Sequence, residues 1–298
     1  MARTEKVLSS KEAVERFVTE GCFLAIGGMH MHNNTMALIR EVIRQDISIG
    51  RLVTSPSGSV NADMLIGAGL VEEIYCSYVG LEHLGLAPNF RRSAEGGKLK
   101  VRECDEAFII YALRAGASSL PFMPLPRGVE ATSVPSMNEE DYKWTEDPFS
   151  GERTACVPPL QPDVAMVHCQ KADEYGNAIF EGSKFTDFLM VKASDTVILQ
   201  VEEVVPHEYL LENVMRVDVP AFLVDAVVNA PFGCHPTASH RYYHYDEDHI
   251  KEYLRACKED FDAYLEQYVR GPKDNEEYLE VIGGREKAKE LMEGDVPW

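Results

Sequence analysis

Val101-Arg102-Glu103-Cys104-Asp105-Glu106 runs directly into the apolar stretch from Ala107 to Leu113, then Arg114-Ala115-Gly116-Ala117, and stops at Leu120-Pro121-Phe122-Met123-Pro124. A β-branched start, acidic residues, a helical apolar run and a proline-bounded stop read as a strand that feeds straight into a helix. Glu103 and Glu106 then fall at the strand end and in the first helical turn. Free backbone N–H groups and the positive helix end stabilise carboxylates there. Strand-to-helix junctions are also where open α/β sheets bind ligands. First-turn acids are common in ordinary helices as well, so their meaning depends on the rest of the chain.

The same alternation recurs on either side. Ser9-Ser10-Lys11-Glu12 spells a capping box that opens a helix to about Val18. Gly21 stops it, and Cys22 to Ile26 is a short apolar strand ending at Gly27-Gly28. A polar loop from His30 to Asn34 precedes an amphipathic helix from about Thr35 to Gln45, with Met36, Ile39, Val42 and Ile43 on one face. Leu52 to Thr54 is a strand, Ser55 to Asn61 a loop, Ala62 to Ala68 a helix, and Glu73 to Tyr78 a further strand. Strands are also predicted from Asp163 to His168, Thr196 to Val201 and Phe222 to Val228. Short apolar strands alternating with helices predict an α/β fold with a mostly parallel sheet and helices on both faces.

A single domain over 1–298 is the simplest organisation, without internal repeats. Residues 125–160 hold six prolines with their flank at Pro124 and read as a long irregular surface loop. From about 246 the chain reads as a helical C-terminal appendage. It is heavily charged from Asp246 to Tyr268, and polar and acidic from Lys273.

Composition narrows the function. The formal net charge is -20, from 49 acidic against 29 basic residues among 298. So acidic a surface repels phosphate backbones and anionic lipid, arguing against nucleic-acid or membrane partners. Seven cysteines, an odd number without metal spacing, suit reduced and mostly buried thiols in a cytoplasmic protein. Neither a signal peptide nor an apolar run of about 18 residues is present to suggest export or a membrane span.

Gly27-Gly28 between a strand and a helix lets a ligand approach the backbone and points N–H groups toward it. A dinucleotide fingerprint needs a third glycine where His and Asn stand, so that reading is weak. His30, His32, Asn33 and Asn34 form a polar pocket wall; the two histidines could hold a metal only if further ligands converge, so no metal is expected. His240 and His244 have i, i+4 spacing, and with His249 they sit among Tyr242, Tyr243 and Tyr245 in what reads as an exposed or interfacial aromatic loop. No GxSxG serine is present, and Cys104 lies between acids that work against a nucleophilic thiolate.

Eight segments, in order, resemble the α (A) subunit of family I coenzyme A transferases, most closely the glutaconate CoA-transferase type. They are Ala25–Gly28, Asp63–Gly67, Ser77–Gly80, Gly97–Leu99, Leu120–Pro124, Asp163–Ala165, Asp173–Asn177 and Asp225–Pro236. The resemblance implies the CoA-transferase (NagB/RpiA-like) fold and activity only with a β subunit, as an α2β2 or α4β4 hetero-oligomer. It implies a nucleophilic glutamate on that partner and a CoA thioester as substrate, with no permanently bound cofactor. Gly27, Gly28 and the Ser77-Tyr78-Val79-Gly80 segment would wall the acyl pocket, and Glu103 would brace a helix or loop nearby.

Two departures stand out. Asn33, Asn34 and Thr35 replace the family's glycine or basic residue followed by proline, so a dicarboxylate substrate is not implied. Glu106, eight residues before Arg114, stands where transferases hold a glutamine. A glutamate there resembles the ring-cleaving CoA-ester hydrolases of steroid degradation, in which it would serve as a general base. A hydrolase or decarboxylase on the same scaffold is therefore the alternative function.

Overall fold

Alternate residues of the central strands enter two different cores, and this fixes the architecture. The computed structural model describes residues 4–293; residues 1–3 and 294–298, the ends of the expected 1–298 domain, lie outside the described part. The strands are β1 (Val7–Leu8), β2 (Cys22–Ile26), β3 (Ile49–Thr54), β4 (Val71–Cys76), β5 (Lys100–Glu103), β6 (Met123–Pro124), β7 (Lys143–Glu146), β8 (Arg153–Val157), β9 (Val164–Ala172), β10 (Thr196–Val204) and β11 (Ala226–Asn229). In β2, Cys22, Leu24 and Ile26 join one core while Phe23 and Ala25 join the other. β9 divides likewise, with Val164 and Met166 against Ala165, Val167 and Cys169. Two-sided burial of successive side chains is the mark of a parallel sheet covered on both faces.

Eight strands lie in the order β1-β11-β10-β9-β2-β3-β4-β5, all neighbours parallel, with Ala178–Ile179 antiparallel on β9. Helices α1 (Ser10–Phe17), α2 (Met36–Arg44), α3 (Val60–Gly67) and the C-terminal helices cover one face; α4 (Glu106–Ala117) and α5 (Asp187–Ala193) cover the other. The capping box at Ser9 and Glu12 forms as predicted. No helix among the described residues is long and apolar enough to cross a membrane. All seven cysteines are free and buried.

Four expectations are corrected. Residues 125–160 are not one irregular loop: β8 pairs antiparallel with both β6 and β7 in a small separate sheet, and Val134–Met137 is a short helix. Prolines fall between these strands, inside β6 at Pro124 and in the short helix at Pro135, which masks the pairing signal. The strand predicted at Phe222 begins at Ala226, because Pro220 starts a 3-10 turn over Ala221–Leu223. His240 and His244 share no helix face. The preceding segment folds as turns, and α6 (Glu247–Glu259) begins only after the Asp246 N-cap, whose side chain accepts from the His249 N–H. Tyr243 and His249 are buried and His240, Tyr242, His244 and Tyr245 half-buried, so of the exposed or interfacial loop expected here the exposed form does not hold.

The C-terminal segment is not simply a surface appendage either. Tyr278, on α7 (Asn275–Val281), is buried against α2. The Arg40 guanidinium stacks 3.5 Å from its ring centroid and donates to the His235 carbonyl at 3.0 Å and to Asn275 Oδ1 at 2.9 Å. Tyr278 and His235 Nδ1 are hydrogen-bonded at 2.6 Å. Arg40→Met keeps much of the volume but leaves the buried His235 carbonyl and the half-buried Asn275 Oδ1 without their donor, and should cost about 2–4 kcal/mol. Urea unfolding reads this as a lower midpoint; an unchanged midpoint would mean the C-terminal helices are held by other contacts.

Candidate active site

Because β2, β3, β4 and β5 run parallel, their C-terminal residues Ile26, Thr54, Cys76 and Glu103 open onto one edge of the sheet. The loops that follow are stitched by backbone bonds. His30 N–H donates to the Ser57 carbonyl at 3.1 Å, Ser77 N–H to Pro56 at 3.0 Å, Gly80 N–H to Gly58 at 3.1 Å and Cys104 N–H to Cys76 at 3.1 Å. Residues far apart in sequence thus form one continuous polar rim.

Gly27 and Gly28 sit against α5. A Cβ on Gly27 would lie 2.2 Å from Asp187 Oδ1, and Gly28, at φ +83°, would press one 2.6 Å from the Asn33 carbonyl. Only glycine fits either place. Their N–H groups do not point at a ligand, contrary to the expectation. Gly27 N–H donates to the Met166 carbonyl at 2.8 Å, and Gly28 N–H to Asp187 Oδ1 at 2.8 Å.

Asn33 and Asn34 are buried braces inside the loop. Asn34 donates to the His30 carbonyl at 2.9 Å and accepts from Asn61 Nδ2 at 3.0 Å. Asn33 Oδ1 accepts from Gln170 Nε2 at 3.1 Å and from the His240 N–H at 3.2 Å. His30 and His32 lie half-buried on the rim. The His30 ring is 5.8 Å from that of Tyr78, and its Nδ1 is 3.5 Å from Glu82 Oε1. His32 stacks on His240 at 5.1 Å. Burial lowers the pKa of His32.

Neither loop histidine belongs to a metal-competent group. Among the described residues, the cluster offering three ligand atoms is the buried His168, Glu202 and Cys234. It is already a hydrogen-bonded network: Glu202 accepts from Tyr243 Oη and from the Phe232 N–H, each at 2.7 Å, and Gln200 Nε2 lies 3.0 Å from His168 Nδ1.

Tyr78 folds back over Gly80, where a Cβ would meet its hydroxyl at 2.1 Å. Ser77 donates its hydroxyl to the Pro56 carbonyl, and Val79 is buried. Glu103 ends β5 with its side chain exposed, and its carbonyl accepts from Asn138 Nδ2. Of the two roles expected of Glu103, helix brace or loop brace, the helix cap is supplied instead by Asp105, whose Oδ1 accepts from the Phe108 N–H at 2.6 Å. Glu106 follows as the first helical residue, exposed and without a hydrogen bond or ion pair among the described residues. At about 4.8 Å per strand, β2 and β5 stand about 14 Å apart, so Glu106 and the double-glycine turn mark opposite ends of the rim.

Two residues that the sequence did not single out for this role complete the site: Thr186 and Asp187. Thr186 and Ser55 share a buried hydrogen bond of 2.7 Å under the glycine turn. Asp187 is 1% exposed, and its Oδ2 has no partner among the described residues. Burial drives its pKa up to about 7, against the lowering effect of the Gly28 N–H. No local signal marks it, because the chain between β9 and β10 brings it to Gly28 from 159 residues away.

An open parallel sheet with its loops gathered at the carboxyl edge defines an α/β protein whose ligand chemistry sits outside the strand ends. The chain belongs to the coenzyme A transferase family, which it matches over residues 7–230. It is 32% identical to the A subunit of glutaconate CoA-transferase from Acidaminococcus fermentans, over 93% of this chain and 92% of that one. The crystal structure of the same transferase superposes with a TM-score of 0.89, covering 98% of this chain and 96% of the other at 31% identity. It is 34% identical to the A subunit of 3-oxoadipate CoA-transferase from Pseudomonas knackmussii, over 93% and 98% of the two chains. An uncharacterised protein of Archaeoglobus fulgidus is 37% identical over 96% of this chain, which spans only 64% of that protein's length.

The raised Asp187 pKa has a stability consequence. In the unfolded chain the group ionises near its ordinary value of 3.8, in the folded chain near 7. The stability contributed by the protonated form is complete below about pH 4 and is lost as pH rises through about 7. Asp187→Asn keeps an acceptor for Gly28 without the charge, so its melting temperature relative to the parent should be several degrees higher at pH 8 than at pH 5. A constant difference between the two pH values would show that Asp187 ionises normally.

Proposed function

We propose that this chain is the α-type subunit of a heteromeric enzyme that moves coenzyme A between an acyl-CoA and a carboxylate. The observation that carries this reading is the superposition on glutaconate CoA-transferase along nearly the whole of both chains. In the proposed reaction a glutamate on the partner chain attacks the thioester carbonyl and the C–S bond breaks. An acyl-glutamyl anhydride and free CoA thiolate result. The thiolate then attacks the glutamyl carbonyl, releasing the first acyl group as its carboxylate and leaving a glutamyl-CoA thioester. An incoming carboxylate runs the steps in reverse. Splitting the transfer this way is covalent catalysis by a carboxylate.

This chain's part is to wall the acyl group. The Gly27–Asn34 loop and the Ser77–Gly80 segment form one side, kept rigid by Asp187, Asn61 and the bonds between loops. Glu106, exposed at the start of α4, would face the partner. That Glu106 has no partner among the described residues of its own chain supports a second reading, in which it is the general base of a CoA-ester hydrolase.

Treating the complex of both subunits with acyl-CoA and then borohydride should reduce a glutamyl thioester and mark the partner chain covalently. Turnover that leaves the partner unmarked would remove the covalent route. Glu106→Gln separates the two readings. A transferase should keep its rate within about tenfold, whereas a hydrolase using Glu106 as base should lose about 10²-fold or more.

A further inference from the structure

The small sheet of β6, β8 and β7 ends in an open edge. β7 (Lys143–Glu146) is its outermost strand, and no strand among the described residues pairs with its far side. Two bonds fix which of its groups face outward. Asp147 N–H donates to the Glu152 carbonyl at 2.9 Å, continuing the register that sets Glu146 opposite Arg153. Leu125 N–H donates to the Ala155 carbonyl at 2.8 Å, so Ala155 faces β6 while its neighbours Thr154 and Cys156 face β7. Bonded pairs alternate along an antiparallel ladder. Lys143 and Thr145 therefore bond to β8. The N–H and C=O groups of Trp144 and Glu146 point away from it, without a partner among the described residues.

Charge on a lone edge ordinarily keeps other strands away. Here the charges are ordered. Lys143 and Asp147 lie symmetrically about Thr145, and neither forms an ion pair among the described residues. Lys143 Nζ donates to the Glu139 carbonyl at 2.6 Å, and Asp147 accepts from the Phe149 N–H at 2.9 Å and the Ser150 hydroxyl at 2.6 Å. A second β7, antiparallel and centred on Thr145, sets Trp144 of one copy against Glu146 of the other with their free main-chain groups matched. Lys143 then meets Asp147 at both ends, an attractive cross-strand pair. Centring on Lys143, Glu146 or Asp147 would oppose like charges, and centring on Trp144 would set Asp147 against Asp141. Shape agrees with the charge order. A groove of about 370 Å³ lies at the amino end of β7, between Pro135, Glu139, Tyr142 and Trp144. Phe149 follows the carboxyl end and is 97% exposed. In this register the two ends meet.

We propose that the outer edge of β7 docks a second copy of this chain, paired antiparallel about a two-fold axis through Thr145, with Phe149 of each copy in the other's groove. Such a contact uses the same patch on both copies and closes after two. Strands this short bury less than a standard interface of about 1,600 Å², so the expected affinity is about micromolar or weaker. This contact is independent of the chemistry proposed above.

Thr145→Cys reads the geometry. In this register position 145 meets its own copy as a non-bonded pair with Cα atoms about 4.5 Å apart, within disulfide reach. The chain's seven native cysteines are buried. Under oxidised glutathione the full-length variant, alone and copurified with its partner, should cross-link to a homodimer at least tenfold faster than Met215→Cys. That control lies outside the small sheet, at a residue 95% exposed. Adding Lys143→Asp opposes two acids and should slow the cross-link about tenfold. Asp147→Asn, which keeps an acceptor for its turn, should then restore most of the rate.

Light scattering of the parent at rising concentration should show self-association. Glu146→Pro, which removes an outward N–H and no bond to β8, should weaken it at least tenfold at an unchanged melting temperature. Cross-linking at position 145 no faster than at 215, or unaffected by Lys143→Asp, would overturn the proposal. Equal self-association of the parent and a folded Glu146→Pro would do the same. A Thr145→Cys cross-link to the partner subunit in place of a second copy would also overturn it, assigning the edge to that subunit.

Discussion

The pairing of β2 with β9, Leu24 to Val164 through Ile26 to Met166, is the contact on which everything else rests. It joins two runs of parallel strands that leave the centre in opposite directions, β3-β4-β5 one way and β10-β11-β1 the other. Where winding reverses, the connections diverge and leave a crevice at the carboxyl edge. Gly27 is the first residue past that junction, and its N–H bonds to Met166 across it. The double-glycine turn is therefore placed by the sheet, while its shape is placed by Asp187 packing into the space that a side chain would fill.

Polar groups buried around this junction form a connected set, and the connection gives it specificity. Asn33, Gln170, Ser239, His168, Gln200 and Glu202 pass hydrogen bonds from the glycine loop to the far strands. A half-satisfied network in a low-dielectric interior costs more than an apolar core, so each member constrains the next. Asn33 is fixed by donors from two directions, and that fixes the tautomer of His240. Through these bonds the rim inherits the rigidity of the sheet. Such a rim is preorganised before any ligand arrives, which lowers the ordering cost of binding.

Much of the fold was legible because its signals are local. The strand at Cys22–Ile26, the amphipathic α2, the capping box at Ser9 and the junction of β5 with α4 each follow from neighbouring residues, and each formed close to its predicted bounds. The small β6-β7-β8 sheet was not legible, because Met123–Pro124 and Lys143–Glu146 pair only through a third strand. The site divides similarly. Glu103 and Glu106 were found from their place at a strand-to-helix junction and Ser77–Gly80 from the family resemblance, and all lie at the carboxyl edge of the sheet. Asn33 and Asn34 read as pocket wall but face inward, since polarity in a loop does not reveal which direction its side chains take.

By itself, the sequence determined the period and order of the elements, and so the doubly covered parallel sheet with its loops at one edge. Periodicity is written between near neighbours, where a few residues carry the whole signal. Only the tertiary structure decided that Asp187 sits beneath Gly28 and that Tyr278 anchors the C-terminal helices to Arg40. Those contacts join positions more than 150 residues apart, and their energies depend on burial and on partners that no local window contains.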